Sequence, residues 1–219
     1  MLVEQLIQTD YPVLQLTDKV SFAIQLMEDY ETQNLPVVFK ESYLGYIAKE
    51  DLLDVDDNIT LNTLEDTFYT IAVRKEEFFL GALKLIVENN ASLIPVISNS
   101  KEYLGVVTTG MLLEQLSIFV GTNEPGGVII LEIDRRNYSF GEISRLIETN
   151  DAYITQLNTY TESNTGLVIV TIKINKVEIS DIIATFTRFE YTVRYHFGEE
   201  LFTNELKDNY QHLMNYLNI

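Results

Sequence analysis

The sequence contains no cysteine. Disulfides, thiolate nucleophiles and cysteine-based zinc or iron-sulfur sites are therefore excluded, and a reducing compartment suits the chain. Histidine is almost as scarce. His196 and His212 are the only two, too far apart for an HxH or HExxH metal pair, and no nucleophile-base set forms around either. Basic side chains are also few, 15 against 33 acidic, for a net charge of -18. Phosphate-backbone and anionic-lipid recognition need clustered Lys and Arg, so nucleic acid and membrane surfaces are poor partners. No stretch approaches the ~18 uninterrupted apolar residues of a membrane span, and the opening MLVEQLIQTD lacks the basic and apolar regions of a signal peptide. The expectation is a soluble, cytoplasmic protein whose partners are small molecules or proteins.

Apolar residues make up 46% of the chain, with 11 Phe and 13 Tyr, enough to bury a core. An internal repeat organises the first half. Ala23, Leu26, Met27, Leu35, Pro36, Val37 and Val38 are echoed by Ala82, Leu85, Ile86, Ile94, Pro95, Val96 and Ile97, and Gly45-Tyr46-Ile47 by Gly105-Val106-Val107. Each unit of about sixty residues reads as a helix, two short strands joined by a turn, and a second helix beginning near Lys49 or Thr109. Ala23, Leu26, Met27 and Tyr30 form one helical stripe, and Phe79, Ala82, Leu83 and Ile86 the other. Proline is expected to open each strand, where its missing N-H costs no ladder bond.

The period breaks at residues 121–127, a Gly- and Pro-rich linker whose Gly126-Gly127 lacks the Lys-Ser/Thr of a phosphate loop and reads as a hinge. Beyond it the order is strand, helix, strand, strand, helix, strand. Ser139 and Glu142 predict a capping box, and Tyr191, Val193, Tyr195 and Phe197 alternate with Thr192, Arg194 and His196 along a last strand. This is the βαββαβ order of a split βαβ sandwich, which leaves one sheet face open. A final amphipathic helix follows, with Leu206, Tyr210, Leu213, Met214 and Leu217 on one side. The fold class is α+β. The expected divisions are 1–60 and 61–120 for the repeats, 121–127 for the linker, 128–198 for the βαββαβ domain and 199–219 for the terminal helix.

The repeated Ala-x-x-Leu-Met, Leu-Pro-Val-Val and Gly-Tyr-Ile segments resemble a tandem pair of cystathionine-β-synthase-type (CBS) domains. Residues 127–198 are similar to an ACT domain, a small regulatory module, and the combination resembles the acetoin-utilisation type of CBS protein. The resemblance implies a non-enzymatic regulator that dimerises and holds an adenosine-type ligand such as AMP, adenosine or S-adenosylmethionine, possession of no catalytic residues, and a possible protein partner. It also implies ligand roles for Asp51 and Thr108 and for the strand residues Pro36, Val37, Pro95 and Val96. In the family each cleft carries a Gly-h-h-Ser/Thr-x-x-Asp segment. Here Gly45 to Asp51 keeps the aspartate and lacks the hydroxyl, while Gly105 to Met111 keeps the hydroxyl and lacks the aspartate.

Each candidate also has a plainer reading. Asp51 is either a ribose ligand or an acid near a helix start, where the macrodipole favours it. Thr108 is either a ligand or a β-branched residue ending a strand. Asp54 to Glu65 has the oxygen spacing of a calcium loop, but Ile59 stands where that loop's turn requires glycine, so it reads as an acidic inter-repeat linker. Tyr138 stands where ACT domains that bind amino acids carry glycine, which favours an interaction surface over an amino-acid site. The alternative for the whole chain is a structural protein with empty, degenerate clefts.

Overall fold

The helical stripe beginning at Ala23 becomes α1 (Val20–Asp29), which buries Val20, Ala23 and Met27 in a computed structural model that describes residues 1–198. Tyr30, the expected fourth member of the stripe, falls just past the helix and is exposed. The strands β1 (Asn34–Phe39) and β2 (Ser42–Ala48) form the antiparallel hairpin of the first repeat. The second repeat supplies β3 (Val73–Arg74), α2 (Phe79–Asn89), β4 (Leu93–Ile97), β5 (Tyr103–Thr108) and α3 (Thr109–Phe119). By internal contacts the chain divides into two units, Met1–Leu116 and Ser117–Ile219.

Two details of the repeats differ from expectation. The second helix of the first repeat is only a 3-10 turn, Lys49–Leu52, whereas α3 runs for 11 residues. Clustered Asp54, Asp56 and Asp57 compete for backbone bonds and favour turns, while Met111, Leu112, Leu113, Glu114 and Gln115 are strong helix formers. Pro36 and Pro95 do not open their strands; each is the third residue. The Pro36 carbonyl accepts from Leu14 N at 2.8 Å, so its nitrogen faces that short outer segment rather than the β2 ladder.

The repeats are joined by reciprocal exchange of their leading segments. The backbone of Tyr69, which precedes β3, bridges Tyr46 of β2, and Gln8, in the leading segment of the first repeat, bridges Val106 of β5. Leu14 pairs in parallel with Val37 as Val73 does with Val96. Two glycines make these approaches possible. A Cβ on Gly45 would lie 2.9 Å from Phe68 Cβ, and one on Gly105, whose φ is 136°, would lie 2.4 Å from the Gln8 carbonyl oxygen. Neither space tolerates a side chain.

In the second unit β6 (Val128–Ile133), α4 (Phe140–Glu148), β7 (Ile154–Thr161), β8 (Val168–Ile174), α5 (Ser180–Arg188) and β9 (Thr192–Phe197) follow the βαββαβ order. The sheet order β7-β8-β6-β9 is antiparallel throughout. Ile129, Leu131, Val170 and Ile172 pack beneath Ile143, Leu146, Ile147, Ile182 and Phe186 of the helices. The capping box is half formed. Ser139 Oγ accepts from Glu142 N at 3.3 Å, but the Glu142 carboxylate accepts from Tyr191 Oη at 2.9 Å.

The last strand does not keep its alternation. A register shift opposite Ile130 and Leu131 skips Arg194, so Tyr191 and Val193 pack toward the core while Tyr195 and Phe197 are 56% and 62% exposed. A bulge moves every later side chain to the other face. Nor is Gly126-Gly127 a hinge. Gly127 N donates to Lys176 O at 2.8 Å and its carbonyl accepts from Ile174 N at 3.0 Å, and a Cβ on Gly126 would lie 2.0 Å from the Ile174 carbonyl oxygen. The expected helix of residues 199–219 lies outside the described residues.

Candidate functional site

The exchanged segments bring both repeats to one cleft in the first unit. Gln33, Asn34, Tyr46, Ala48 and Glu50 line it from the first repeat, and Tyr69, Asn89, Asn90 and Ala91 from the second. The Tyr46 and Tyr69 rings stack at 5.1 Å between centroids and 18° between planes. Tyr46 is buried at 3% exposure, so the 38% exposed Tyr69 ring is the one that offers a planar heterocycle a surface to pack on.

Asp51 lies in the 3-10 turn, next to two lining residues, Glu50 and Tyr69, but is not itself among the nine that line the cleft. Its Oδ2 is buried and has no hydrogen-bond partner. The Asp51 charge holds the Tyr69 hydroxyl above its ordinary range. Burial raises Tyr46 first, with the charges around it adding to the effect. An acceptor held in place without a donor costs stability, and a four-residue turn has little dipole to compensate. The arrangement suits a ligand that brings O-H or N-H donors to the carboxylate.

Asn34 is 1% exposed and ties the cleft to the second repeat. Its Oδ1 accepts from Ser92 N at 3.0 Å and Ser92 Oγ at 2.9 Å, and its Nδ2 donates to Leu93 O at 3.0 Å. Thr32 Oγ1 and Ser92 Oγ lie 2.6 Å apart. Tyr43 Oη donates to Ile71 O at 2.7 Å, fixing the segment between Tyr69 and β3. Burial pushes the Tyr43 hydroxyl well up.

The remaining candidates are not brought to this cleft. Pro36, Val37, Pro95 and Val96 are all buried, and Val37 and Val96 are fully enclosed members of the core. They offer no side-chain surface to a ligand, because the strands carrying them are covered on both faces. Thr108 Oγ1 accepts from Met111 N at 3.4 Å, the position of a helix cap for α3. Sequence reasoning missed Tyr69, Asn34 and Ser92. The run Thr67 to Val73 has strand composition, and Asn34 directly precedes an apolar run, which signals a polar group needing a buried partner.

In the second unit Asp134, Asn137, Tyr138, Ser139 and Glu142 line a surface groove with Glu190 and Tyr191. Tyr138 is half-buried against the core. Asp134 Oδ1 accepts from Arg136 N at 2.9 Å, and this bond and the guanidinium hold its carboxyl below the usual range. Among the described residues no group of three or more His, Asp or Glu is placed to hold a metal ion, and no helix is long and apolar enough to cross a membrane.

The CBS domain family matches residues 3–58. A crystal structure of a CBS domain pair/ACT domain protein from Thermotoga maritima is 24% identical with a TM-score of 0.50, covering 55% of this chain and 99% of that chain. The CBS domains of a transcriptional regulator from Streptococcus pneumoniae are 20% identical with a TM-score of 0.46, covering 52% of this chain and 98% of that chain. At these identities the likeness is one of fold. The chain is an α+β protein whose residues 3–58 match the CBS domain family and whose two repeats share the fold of a CBS domain pair.

Proposed function

We propose that the CBS pair is a regulatory ligand sensor and that it takes an adenosine-type metabolite, adenosine, AMP or S-adenosylmethionine, against Asp51. The observation that supports this is the buried Asp51 Oδ2, an acceptor without a donor, beside the stacked Tyr46 and Tyr69 rings. A ribose diol supplies two O-H donors to one carboxylate in charge-assisted bonds, and the adenine ring packs on the exposed ring of Tyr69. Because both repeats line the cleft, a ligand bound there favours their closed arrangement, and that differential affinity is the signal.

Calorimetric titration with adenosine, AMP and S-adenosylmethionine tests the reading. At least one binds the wild-type chain, and Asp51→Ala weakens it by about 1.5–3 kcal/mol, the size of a hydrogen bond to a charged group. Thr108→Val costs less. Binding unaffected by Asp51→Ala overturns the site, and no binding by any of the three favours a scaffold with empty clefts.

The signal passes to assembly or to a protein partner. What supports an assembly role is the open face of the second unit's sheet, where Tyr160, Tyr195 and Phe197 are each more than half exposed. Aromatic exposure of this extent suits an interface. Light scattering is expected to give at least a dimer, and a monomer at micromolar concentration overturns that part.

A further inference from the structure

The nine residues lining the Asp51 cleft include no Lys or Arg. The nearby lysine is already engaged: Lys49 Nζ lies 3.0 Å from Glu28 Oε1, with the Lys49 side chain only 24% exposed. Its backbone N donates to Gln33 O at 2.7 Å, which fixes the residue at the cleft edge. Glu50 lines the cleft directly, and Asp51 stands next to it. The end of α2 also lines the cleft through Asn89 and its C-cap Asn90. This is the carbonyl end of an 11-residue helix, which carries partial negative charge. Around these groups residues 1–116 hold seven basic and nineteen acidic side chains, a net of -12.

We infer that the Asp51 cleft selects uncharged or cationic nucleosides over nucleotides, and that the Glu28–Lys49 pair and Glu50 set this selectivity. The inference deepens the adenosine reading and rests on it. A phosphate entering the cleft meets the Glu50 carboxylate, with Asp51 next to it in sequence, and a helix C-terminus, and none of the nine lining residues is a cation that could neutralise it. Coulombic repulsion inside a partly water-excluded cleft is stronger than in solvent. A neutral nucleoside meets none of that repulsion, and the sulfonium of S-adenosylmethionine gains from the same field. The adenine and ribose contacts are common to all these ligands, so only the charge separates them.

The test is calorimetric titration of the full chain with adenosine, S-adenosylmethionine, AMP and ATP at low and high salt. Adenosine and S-adenosylmethionine are expected to bind more tightly than AMP by roughly tenfold at low salt, with ATP weaker again, and the gap to narrow as salt screens the repulsion. Glu28→Gln, which releases Lys49, and Glu50→Gln, which removes a cleft carboxylate, are each expected to tighten AMP by several-fold relative to adenosine measured on the same variant. AMP binding as tightly as adenosine to the wild-type chain overturns the selectivity and leaves the adenosine reading standing. AMP affinity unmoved by both variants overturns the assignment to these residues. Failure of all four ligands to bind overturns the inference together with the reading beneath it.

Discussion

Tyr46 and Tyr69 belong to different repeats, yet they exchange both backbone hydrogen bonds at 2.9 Å and stack their rings. The contact exists because the leading segment of each repeat pairs with the hairpin of the other. One consequence is that the cleft and the stability of the repeat pair share residues. Changes made to either should be felt in both.

Gly45→Ala places a Cβ 2.9 Å from Phe68 Cβ and 3.1 Å from the Tyr69 carbonyl oxygen. The exchanged strand must shift, and overpacking of this kind costs about 1–3 kcal/mol. Urea unfolding of the full chain should show the loss, with ligand affinity at Asp51 falling in the same variant. Gly81→Ala is the control, since its nearest contact, at 3.3 Å, is the flexible Glu77 carboxylate. Equal behaviour of the two variants would sink the argument.

Asn34→Ala removes a buried side chain that bonds Ser92 and Leu93. The stranded Ser92 N-H and Leu93 carbonyl should each be left short of a partner, at about 1–3 kcal/mol for an unsatisfied buried group. Hydrogen exchange at Ser92 should accelerate ahead of exchange at Val106. An unchanged rate at Ser92 would show that the network is replaceable.

Gly126→Ala and Gly127→Ala distinguish close packing from a hinge. The added Cβ atoms meet Ile174 O at 2.0 Å and Ile179 Cγ2 at 2.3 Å, so each variant should lose stability by roughly 1–3 kcal/mol. A hinge would accept alanine with little change. Thermal unfolding monitored by tyrosine fluorescence makes the distinction.

Burial, then the bond to Glu142, raises the Tyr191 hydroxyl from 10.0 to about 12. Between those values the unfolded chain loses the proton and the folded chain keeps it. The associated stability is present below pH 10 and is lost as pH rises toward 12. Tyr191→Phe should reduce the slope of that part of the stability profile, and absorbance titration of the folded variant should lose one tyrosine step near 12 relative to the folded wild type. Identical profiles for variant and wild type would contradict the environment assigned to Tyr191.

Much of the architecture is legible in the order of residues. The stripe of Phe79, Ala82, Leu83 and Ile86 becomes α2, and the paired Leu35-Pro36-Val37 and Ile94-Pro95-Val96 runs, with the Gly-h-h runs, become β1, β2, β4 and β5. Asp51 could be singled out from its segment alone, although not its unpartnered oxygen. Other features depended on neighbours distant in sequence. The exchange of leading segments pairs Gln8 with Val106, a separation across which local periodicity carries no information. The bulge at Arg194 is set by pairing across β6 and β9, so an unbroken alternation of apolar and polar residues could not reveal it.

By itself the sequence determined most of the elements, the sixty-residue repeat, the βαββαβ order and the strongly acidic character, because these follow from side-chain spacing and composition. Only the tertiary structure decided that Val37 and Val96 are core, that Tyr69 and not Thr108 stands with Asp51, and that Glu28 engages Lys49 at the cleft edge. The physical reason is that burial and charge pairing are properties of what surrounds a side chain. In this fold those surroundings come from the opposite repeat or from the opposite strand of the sheet.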